Sequence, residues 1–363
     1  MANAELYELR EPAPQRARDV LARRLADIVG LPSSRLTPRE RWIVADLLYD
    51  ILRASDISIR QRCARRLSAL NEAPSRLLRL LACDEYEIAQ PILEECLALT
   101  DFDLLEIIRS GGLQHRMAIA RRDNLSEIIS AALTATGEPP VVERMLKNVT
   151  AIIAAPTMDH LVGAAQEEAG YAGLLIKRAE LRPAQAFRLF WGCEHRERFA
   201  ILERFAVDRT ILIDSTEDIF PMVSAEGWAD PLVSRVLRYI DRRQRNREAA
   251  DLSPYGSLEG AVDAMCLEGA RNDIVSEIAT LAGIHKRLLT RMLDDMAGES
   301  LAILCKATGL KWNAFEGFWT GLGRSRQDEP VEQARKVFDS LSVEKAQTVL
   351  RYWNLSVEDA DAR

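Results

Sequence analysis

The densest group of metal-capable side chains in the sequence is Cys193-Glu194-His195. Three consecutive helical positions point in different directions, so these side chains cannot converge on one ion unless the helix unwinds. The six cysteines lie far apart and form no C-x-x-C pair. This spacing favours reduced core thiols in the cytoplasm over a metal site. We therefore predict no bound metal.

No sequence pattern of a known catalytic site is present. The chain lacks a G-x-S-x-G elbow, a phosphate-binding glycine loop and an H-E-x-x-H motif. The adjacent carboxylates Glu94-Glu95 and Asp294-Asp295 splay apart on a helix and do not face each other across a cleft. We expect no catalytic residue, no cofactor and no enzymatic activity.

Arginines are the side chains best suited to recognition in this sequence. Six of them fall between positions 235 and 247: Arg235, Arg238, Arg242, Arg243, Arg245 and Arg247. A second group is Arg109, Arg116, Arg121 and Arg122, with Arg79 and Arg188 at free positions of the repeats described below. The planar guanidinium binds carboxylates and phosphates bidentately, which predicts partner binding. The alternative is solvated helix faces that pair with some of the 55 acidic residues.

A nucleic-acid site is the competing prediction. Within 273–321, Ile278-Ala279-x-x-Ala282-Gly283-Ile284 aligns at one constant offset with Leu304-Cys305-x-x-Thr308-Gly309-Leu310. Each copy predicts a helix, a glycine turn and a second helix, as in DNA-binding helix-turn-helix units. Lys286, Arg287 and Arg291 could reach phosphates or bases. Eight basic and eight acidic residues over 271–329 cancel, so structural hairpins are favoured.

The elements that carry these residues are helical repeats. A five-residue motif of two apolar residues, a free position and two apolar residues starts at Leu77, Leu104, Ile128, Leu161 and Ala186. The intervals between these starts are typical of stacked helix pairs. In the first helices of the pairs, Ile59, Cys63 and Leu67 match Ile88, Ile92 and Cys96 at a constant offset, and Leu113, Met117 and Ala120 continue the series.

Local signals predict where several helices begin and end. Thr37-Pro38-Arg39-Glu40 has the pattern of a capping box with proline in the first turn. Asn124, followed by Glu127, predicts another helix start. A single long helix is expected from about Pro231 to Ala249.

Composition limits the class of protein. The chain has 363 residues, is 48% hydrophobic and 6% aromatic, and carries a formal net charge of −7. This predicts a folded, soluble helical protein and argues against extensive nucleic-acid coating. Neither a signal peptide nor a stretch long enough to span a bilayer is evident, so a cytoplasmic protein without membrane contact is expected.

Five segments of the chain resemble a bacterial protein family. They are Arg116-Met117-Ala118-Ile119-Ala120-Arg121-Arg122, Glu226-Gly227-Trp228-Ala229-Asp230-Pro231-Leu232-Val233, Arg242-Arg243-Gln244-Arg245-Asn246-Arg247, Leu304-Cys305-Lys306-Ala307-Thr308-Gly309-Leu310 and Ala346-Gln347-Thr348-Val349-Leu350-Arg351-Tyr352-Trp353-Asn354. The family is common in alphaproteobacteria and is catalogued as a conserved domain of unknown function. The resemblance covers about residues 19 to 355. It implies an all-helical protein with HEAT-like repeats in its N-terminal half, and it implies no activity.

Together these observations predict an all-α protein, a HEAT-like α-solenoid followed by a smaller helical domain with two helix–turn–helix-like hairpins. The expected divisions are a leader at 1–18, the repeats at 19–207, the second domain at 208–355 and an acidic tail at 356–363. The predicted function is a non-enzymatic scaffold or adaptor, with a regulatory role, that binds another protein. The alternative is a nucleic-acid-binding regulator that uses 273–321.

Overall fold

The computed structural model describes residues 13–32, 34–240, 245–325 and 329–361. Every regular element in these ranges is a helix, which confirms the predicted all-α class. None of these helices has both the length and the apolar character that crossing a bilayer requires. The chain divides into two compact units, the first ending at Glu180 and the second beginning at Leu181. Residues 181–207, assigned above to the repeats, thus pack with the second unit.

The first unit consists of short helices in two rows. They are α1 (Ala13–Val29), α2 (Pro38–Arg53), α3 (Ile57–Ser68), α4 (Ser75–Ala82), α5 (Tyr86–Glu95), α6 (Asp101–Ser110), α7 (Leu113–Ile119), α8 (Glu127–Ala135), α9 (Pro139–Lys147), α10 (Ala155–Ala164) and α11 (Ala169–Leu175). The odd-numbered helices pack on one another in sequence from α1 to α11. In the other row, α2 packs on α4, α6 on α8 and α8 on α10.

The helix starts follow local chemistry. At α2 the Thr37 side chain and the Glu40 carboxylate form the predicted capping box. The prediction that Asn124 starts the next helix is wrong. Ser126 caps α8 by accepting from the Ile129 N–H, whereas Asn124 lies outside the helix with a φ of 56°. Asparagine tolerates this left-handed conformation, so it serves here in the connection before the helix.

The buried face of the even-numbered helices differs in register from the five-residue motif. Ile128 is 60% exposed, although the motif placed it on the apolar stripe. The residues that are buried in each helix form two adjacent pairs four positions apart, as one face of a helix requires. These pairs are 77/78 with 81/82, 103/104 with 107/108, 129/130 with 133/134, and 157/158 with 161/162. They recur along the chain at more even intervals than the motif does.

The predicted stripe of the odd-numbered helices is buried in α3 and around α5. Ile59, Cys63, Leu67, Ile88, Ile92 and Cys96 are each at most 4% exposed. The continuation into α7 is only partly right, because Leu113 is 41% exposed and the buried residues of this helix are Ala118 and Ile119. Leu113 is the first residue of α7 and has no preceding turn to cover it.

Three polar side chains connect the C-terminal ends of α5, α7, α9 and α11, and we call them the carbonyl ladder. Each donates hydrogen bonds to backbone carbonyls near the end of the preceding odd-numbered helix. Arg122 donates to Leu93 (2.6 Å) and Cys96 (2.8 Å), Asn148 to Ala120 (3.1 Å) and Arg122 (2.6 Å), and Arg178 to Asn148 (2.7 Å) and Ala151. The last carbonyls of a helix have no partner within it, so the ladder satisfies groups that stacking would otherwise bury unpaired.

The second unit is built around one buried helix. Its helices are α12 (Pro183–Leu189), α13 (His195–Phe205), α14 (Thr210–Thr216), α15 (Ile219–Ala225), α16 (Pro231–Ile240), α17 (Arg247–Leu252), α18 (Leu258–Glu268), α19 (Asn272–Ala282), α20 (Lys286–Asp294), α21 (Glu299–Thr308), α22 (Trp312–Gly321), α23 (Glu329–Ser340) and α24 (Val343–Asp361). All residues of α21 except Lys306 are buried, and α20, α22, α23 and α24 pack on it. A helix that is apolar on nearly every side belongs in a core.

The two duplicated segments of the second unit have the same turn. Gly283 and Gly309 end α19 and α21 with φ values of 64° and 72°, in the left-handed region. The next residue in each case, Ile284 or Leu310, donates its N–H to a carbonyl five positions back, at 3.0 and 2.8 Å. Glycine is favoured here because a Cβ disfavours this conformation.

The long helix predicted from Pro231 to Ala249 is not continuous. Arg245 and Asn246 are not helical, and Asn246 caps α17 by accepting from the Ala249 N–H. Asparagine competes for backbone N–H groups and thus favours a new helix start over continuation. Residues 241–244 lie outside the described residues.

We predict that Arg122→Met destabilises the protein, because it leaves the Leu93 and Cys96 carbonyls buried without donors. The expected loss is about 2–4 kcal/mol of the free energy of unfolding, measured by urea denaturation. The control is Arg109→Met at an exposed arginine, which should change the value by less than about 0.5 kcal/mol. Equal effects of the two substitutions would show that the ladder contributes nothing.

Candidate functional site

The four arginines predicted around the central repeats have different environments. Arg116 forms a bidentate ion pair with Glu138, at 2.6 and 2.7 Å, which holds the pKa of that carboxyl below its ordinary value. Arg121 donates to Glu94 at 2.8 Å. Arg122 is buried in the carbonyl ladder, and Arg109 is exposed. These four side chains do not form one surface cluster, because three of them are engaged within the unit.

The arginines of 235–247 are described in part. Arg245 forms a bidentate ion pair with Glu259, at 2.8 and 3.0 Å, and donates to the Thr308 carbonyl at 2.6 Å. Arg235 is exposed on α16. The side chains of Arg238, Arg242, Arg243 and Arg247 lie outside the described residues.

The cations predicted to read nucleic acid all lie on α20, and local contacts hold at least two of them. Lys286 donates to the Asn272 side chain at 2.6 Å. Arg291 lies 4.3 Å over the Trp191 ring, and burial lowers its pKa. Arg287 is exposed. The helix therefore does not present its three cations as one open row.

A buried ionic network lies in the second unit, around the motif that opened the sequence analysis. Arg198 donates through one nitrogen to Asp295 (2.9 Å) and Glu299 (2.9 Å), and His195 contacts the other oxygen of Glu299. Cys193 contributes its carbonyl, at 2.8 Å from Arg198 Nε. Glu299 is fully buried and pairs with Arg198, so its charge is compensated inside the unit, while the His195 side chain is 26% exposed. Within the described ranges, no group of three or more His, Cys, Asp or Glu side chains could hold a metal ion.

A surface cleft lies between α2 and α4 of the first unit. It has two adjoining parts, of about 460 and 360 Å³, which share Ser75 and Arg76. The larger part is lined by Pro38, Arg41, Trp42, Ala45, Asp46, Glu72, Pro74, Ser75 and Arg76. The smaller part is lined by Tyr49, Ser75, Arg76, Arg79 and Leu80. We call the two parts together the α2–α4 cleft.

Aromatic rings and arginines adjoin in this cleft. Trp42, which lines the larger part, is 66% exposed. Arg76 lies 4.2 Å above the Tyr49 ring, and Arg53 lies 5.9 Å from the same ring. Beyond the cleft, Arg79 lies 5.7 Å from the ring of Phe102, which is itself 60% exposed. Guanidinium groups lie near the half-buried Tyr49 ring and the exposed Phe102 ring, so apolar and cationic groups adjoin on this surface.

Carboxylates from neighbouring helices fix the two arginines of α4. Arg76 forms an ion pair with Asp46 of α2, and Arg79 forms one through Nε with Asp103 of α6. Asp103 is buried and also completes the capping box of Thr100 at the start of α6. Burial raises the pKa of the Asp103 carboxyl, but hydrogen bonds from Thr100 and Arg79 outweigh it and hold the pKa below the ordinary value of 3.8. The fold therefore places Arg79 through a charged carboxylate.

Of these residues, the sequence analysis identified only Arg79 as a candidate. Trp42, Asp46 and Tyr49 are spaced by four and three positions, which puts them on one face of α2. Arg76 and Arg79 share a face of α4 for the same reason. This spacing was the available signal, but nothing local indicated that the two faces adjoin.

The chain belongs to a family of uncharacterised proteins conserved in bacteria (DUF2336), whose model matches residues 88–351. This confirms the family resemblance recognised in the sequence. No curated protein and no solved structure matches the chain significantly. The matched range contains Phe102 and Asp103, whereas α2 and α4 precede it.

We predict that Asp103→Asn destabilises the protein in a pH-dependent manner. Because the folded-state pKa of Asp103 is depressed, its stabilising contribution is present above the unfolded-state pKa and is lost as pH falls through the folded-state pKa. The difference in the free energy of unfolding from the native protein should be about 1–3 kcal/mol at pH 7 and should vanish in strong acid. Urea denaturation over a pH series measures it. Asp50→Asn, at an exposed carboxylate of α2, should show no such difference.

Proposed function

We propose that this protein is a HEAT-like α-solenoid scaffold that binds another protein at the α2–α4 cleft. The support for a solenoid is the stacking of short helices in two rows, with a buried face that recurs at nearly even intervals from α4 to α10. Helical repeats of this kind offer extended surfaces on which a partner can lie. The single observation that carries the proposed function is the exposed Trp42 beside arginine-covered Tyr49 in a surface cleft.

The composition of the cleft is that of a protein interface. Tryptophan, tyrosine and arginine supply most of the binding energy where proteins meet, because they bury large areas and keep a polar group available. Isolated exposed apolar residues need no explanation, but an exposed tryptophan in a cleft is a candidate anchor. The exposed Leu232 and Val236 beside Arg235 on α16 supply a second candidate contact surface, on the second unit.

Nucleic-acid binding is the less well supported alternative. The net charge is −7, and the helix that would read the groove holds Lys286 and Arg291 in local contacts. Binding to nucleic acid would need a cluster of available cations on one face. A scaffold role without catalysis remains our proposal, as does a cytoplasmic location, which the six free cysteines support.

We predict that Trp42→Ala weakens partner binding. Removing an interface tryptophan that acts as an anchor costs at least about 2 kcal/mol, so the affinity for the partner should fall roughly 30-fold and the recovered partner should fall with it. The measurement is quantitative mass spectrometry of proteins cross-linked to the tagged full-length chain in its own cells, with nuclease treatment before capture. Val149→Ala is the matched control, because Val149 is 88% exposed and belongs to the same unit but does not line the cleft.

Three results would count against this proposal. Trp42→Ala could recover the same proteins as the native chain, or the native chain could recover nothing above a tag-only control. Loss of all captured proteins on nuclease treatment would favour the nucleic-acid alternative.

A further inference from the structure

The two arginines of α4 are only partly used by the fold. Within the described part of the chain, Arg76 donates through Nη1 to Asp46, and Arg79 donates through Nε to Asp103. A guanidinium carries five N–H donors. The other donors of both groups form no hydrogen bond with any described residue. The side chains are 57% and 47% exposed, so these donors face solvent.

The free donors are held in place before any ligand arrives. Each guanidinium is fixed by one carboxylate and lies near an aromatic ring, Tyr49 for Arg76 and Phe102 for Arg79. Arg76 and Arg79 are three positions apart on one helix, which places their Cβ atoms about 5–6 Å apart. Fixing arginines in advance reduces the entropy that binding must overcome. The pair is thus suited to neighbouring anionic groups.

The charge of the cleft changes along its length. The smaller part, around Tyr49 and Leu80, is lined by Arg76 and Arg79. Their paired carboxylates lie outside this part, Asp46 in the adjoining larger part and Asp103 buried in α6. The larger part is lined by Asp46 and Glu72, each engaged by an arginine, and by the apolar surfaces of Trp42 and Pro38. One end therefore fits anions and the other fits an apolar side chain.

We infer that the α2–α4 cleft binds an acidic linear segment of a protein partner. Two carboxylates of the segment accept hydrogen bonds from Arg76 and Arg79 in the smaller part. An apolar side chain of the same segment packs against Trp42 in the larger part. Carboxylates match the planar donor edge of a guanidinium, and the adjoining apolar surface has no counterpart in a bare phosphate. This inference rests on the proposed function, since it names the partner chemistry of the same cleft.

Fluorescence anisotropy with the full-length chain tests the inference. The probe is a labelled twelve-residue peptide of glutamate and leucine, and the comparison probe has glutamine in place of every glutamate. The native chain should bind the glutamate peptide at least about tenfold more tightly, and the preference should shrink as salt rises. The double variant Arg76→Gln, Arg79→Gln should remove the preference. The double variant Arg24→Gln, Arg65→Gln makes the same charge change at exposed arginines elsewhere in the unit and should retain it.

Equal binding of the two peptides by the native chain would overturn the inference, as would an unchanged preference in the Arg76, Arg79 variant. Tighter binding of a DNA duplex or a phosphopeptide through the same two arginines would also overturn it, because the ligand would then belong to another class. Cross-linking in cells separates this failure from that of the proposed function. If the Trp42→Ala variant loses the partner while the Arg76→Gln, Arg79→Gln variant keeps it, the scaffold proposal stands. The inference that the partner presents an acidic segment is then wrong.

Discussion

The first unit depends on the fact that its helices after α2 are too short to be stable alone. From α3 to α11 the longest helix, α3, has 12 residues and the shortest, α7 and α11, have 7. An isolated helix of such a length is marginal in water. Each helix must therefore bury its apolar face against neighbours, and stacking in turn encloses the carbonyls at its C-terminal end. The side chains of the carbonyl ladder, Arg122, Asn148 and Arg178, donate to those carbonyls from the region of the next odd-numbered helix. Apolar stacking and the carbonyl ladder are therefore needed together.

The same constraint gives rise to the α2–α4 cleft. A helix that buries one face leaves the opposite face to solvent, and adjacent exposed faces enclose a groove. The Thr100 capping box starts α6, and its carboxylate, Asp103, also holds Arg79 of α4. One buried aspartate therefore begins a helix, links two helices and positions a side chain of the candidate interface. Buried arginines that complete the fold and exposed arginines of the candidate interface lie within the same unit.

Much of the helical organisation follows from sequence, and the predictions from sequence that were wrong failed for identifiable reasons. Thr37 and Thr100 start helices because their capping partners lie three positions away, and Gly283 and Gly309 end helices because only glycine adopts the turn easily. The five-residue motif located helices of the first unit but misplaced Ile128, since an apolar residue at a helix start can face solvent. The prediction of one continuous helix across Asn246 was wrong, because it gave the apolar and basic periodicity more weight than the capping signal of a single asparagine. Of the candidate cleft, only Arg79 could be named in advance.

The sequence by itself determined the class of the protein, its family, and the local signals that begin and end its helices. These properties depend on residues within about one helical turn of each other, or on apolar periodicity along a single helix. The tertiary structure decided which arginines are buried and which remain available. Arg122 donates to carbonyls near the end of α5, and Arg79 pairs with the Asp103 carboxylate of α6. Arg76 contacts both Asp46 and Tyr49 of α2. All of these partners lie on helices that are distant along the chain. Charge and spacing along the chain are alike for these side chains, and only the packing of neighbouring helices distinguishes a buried structural arginine from one that stays exposed to solvent.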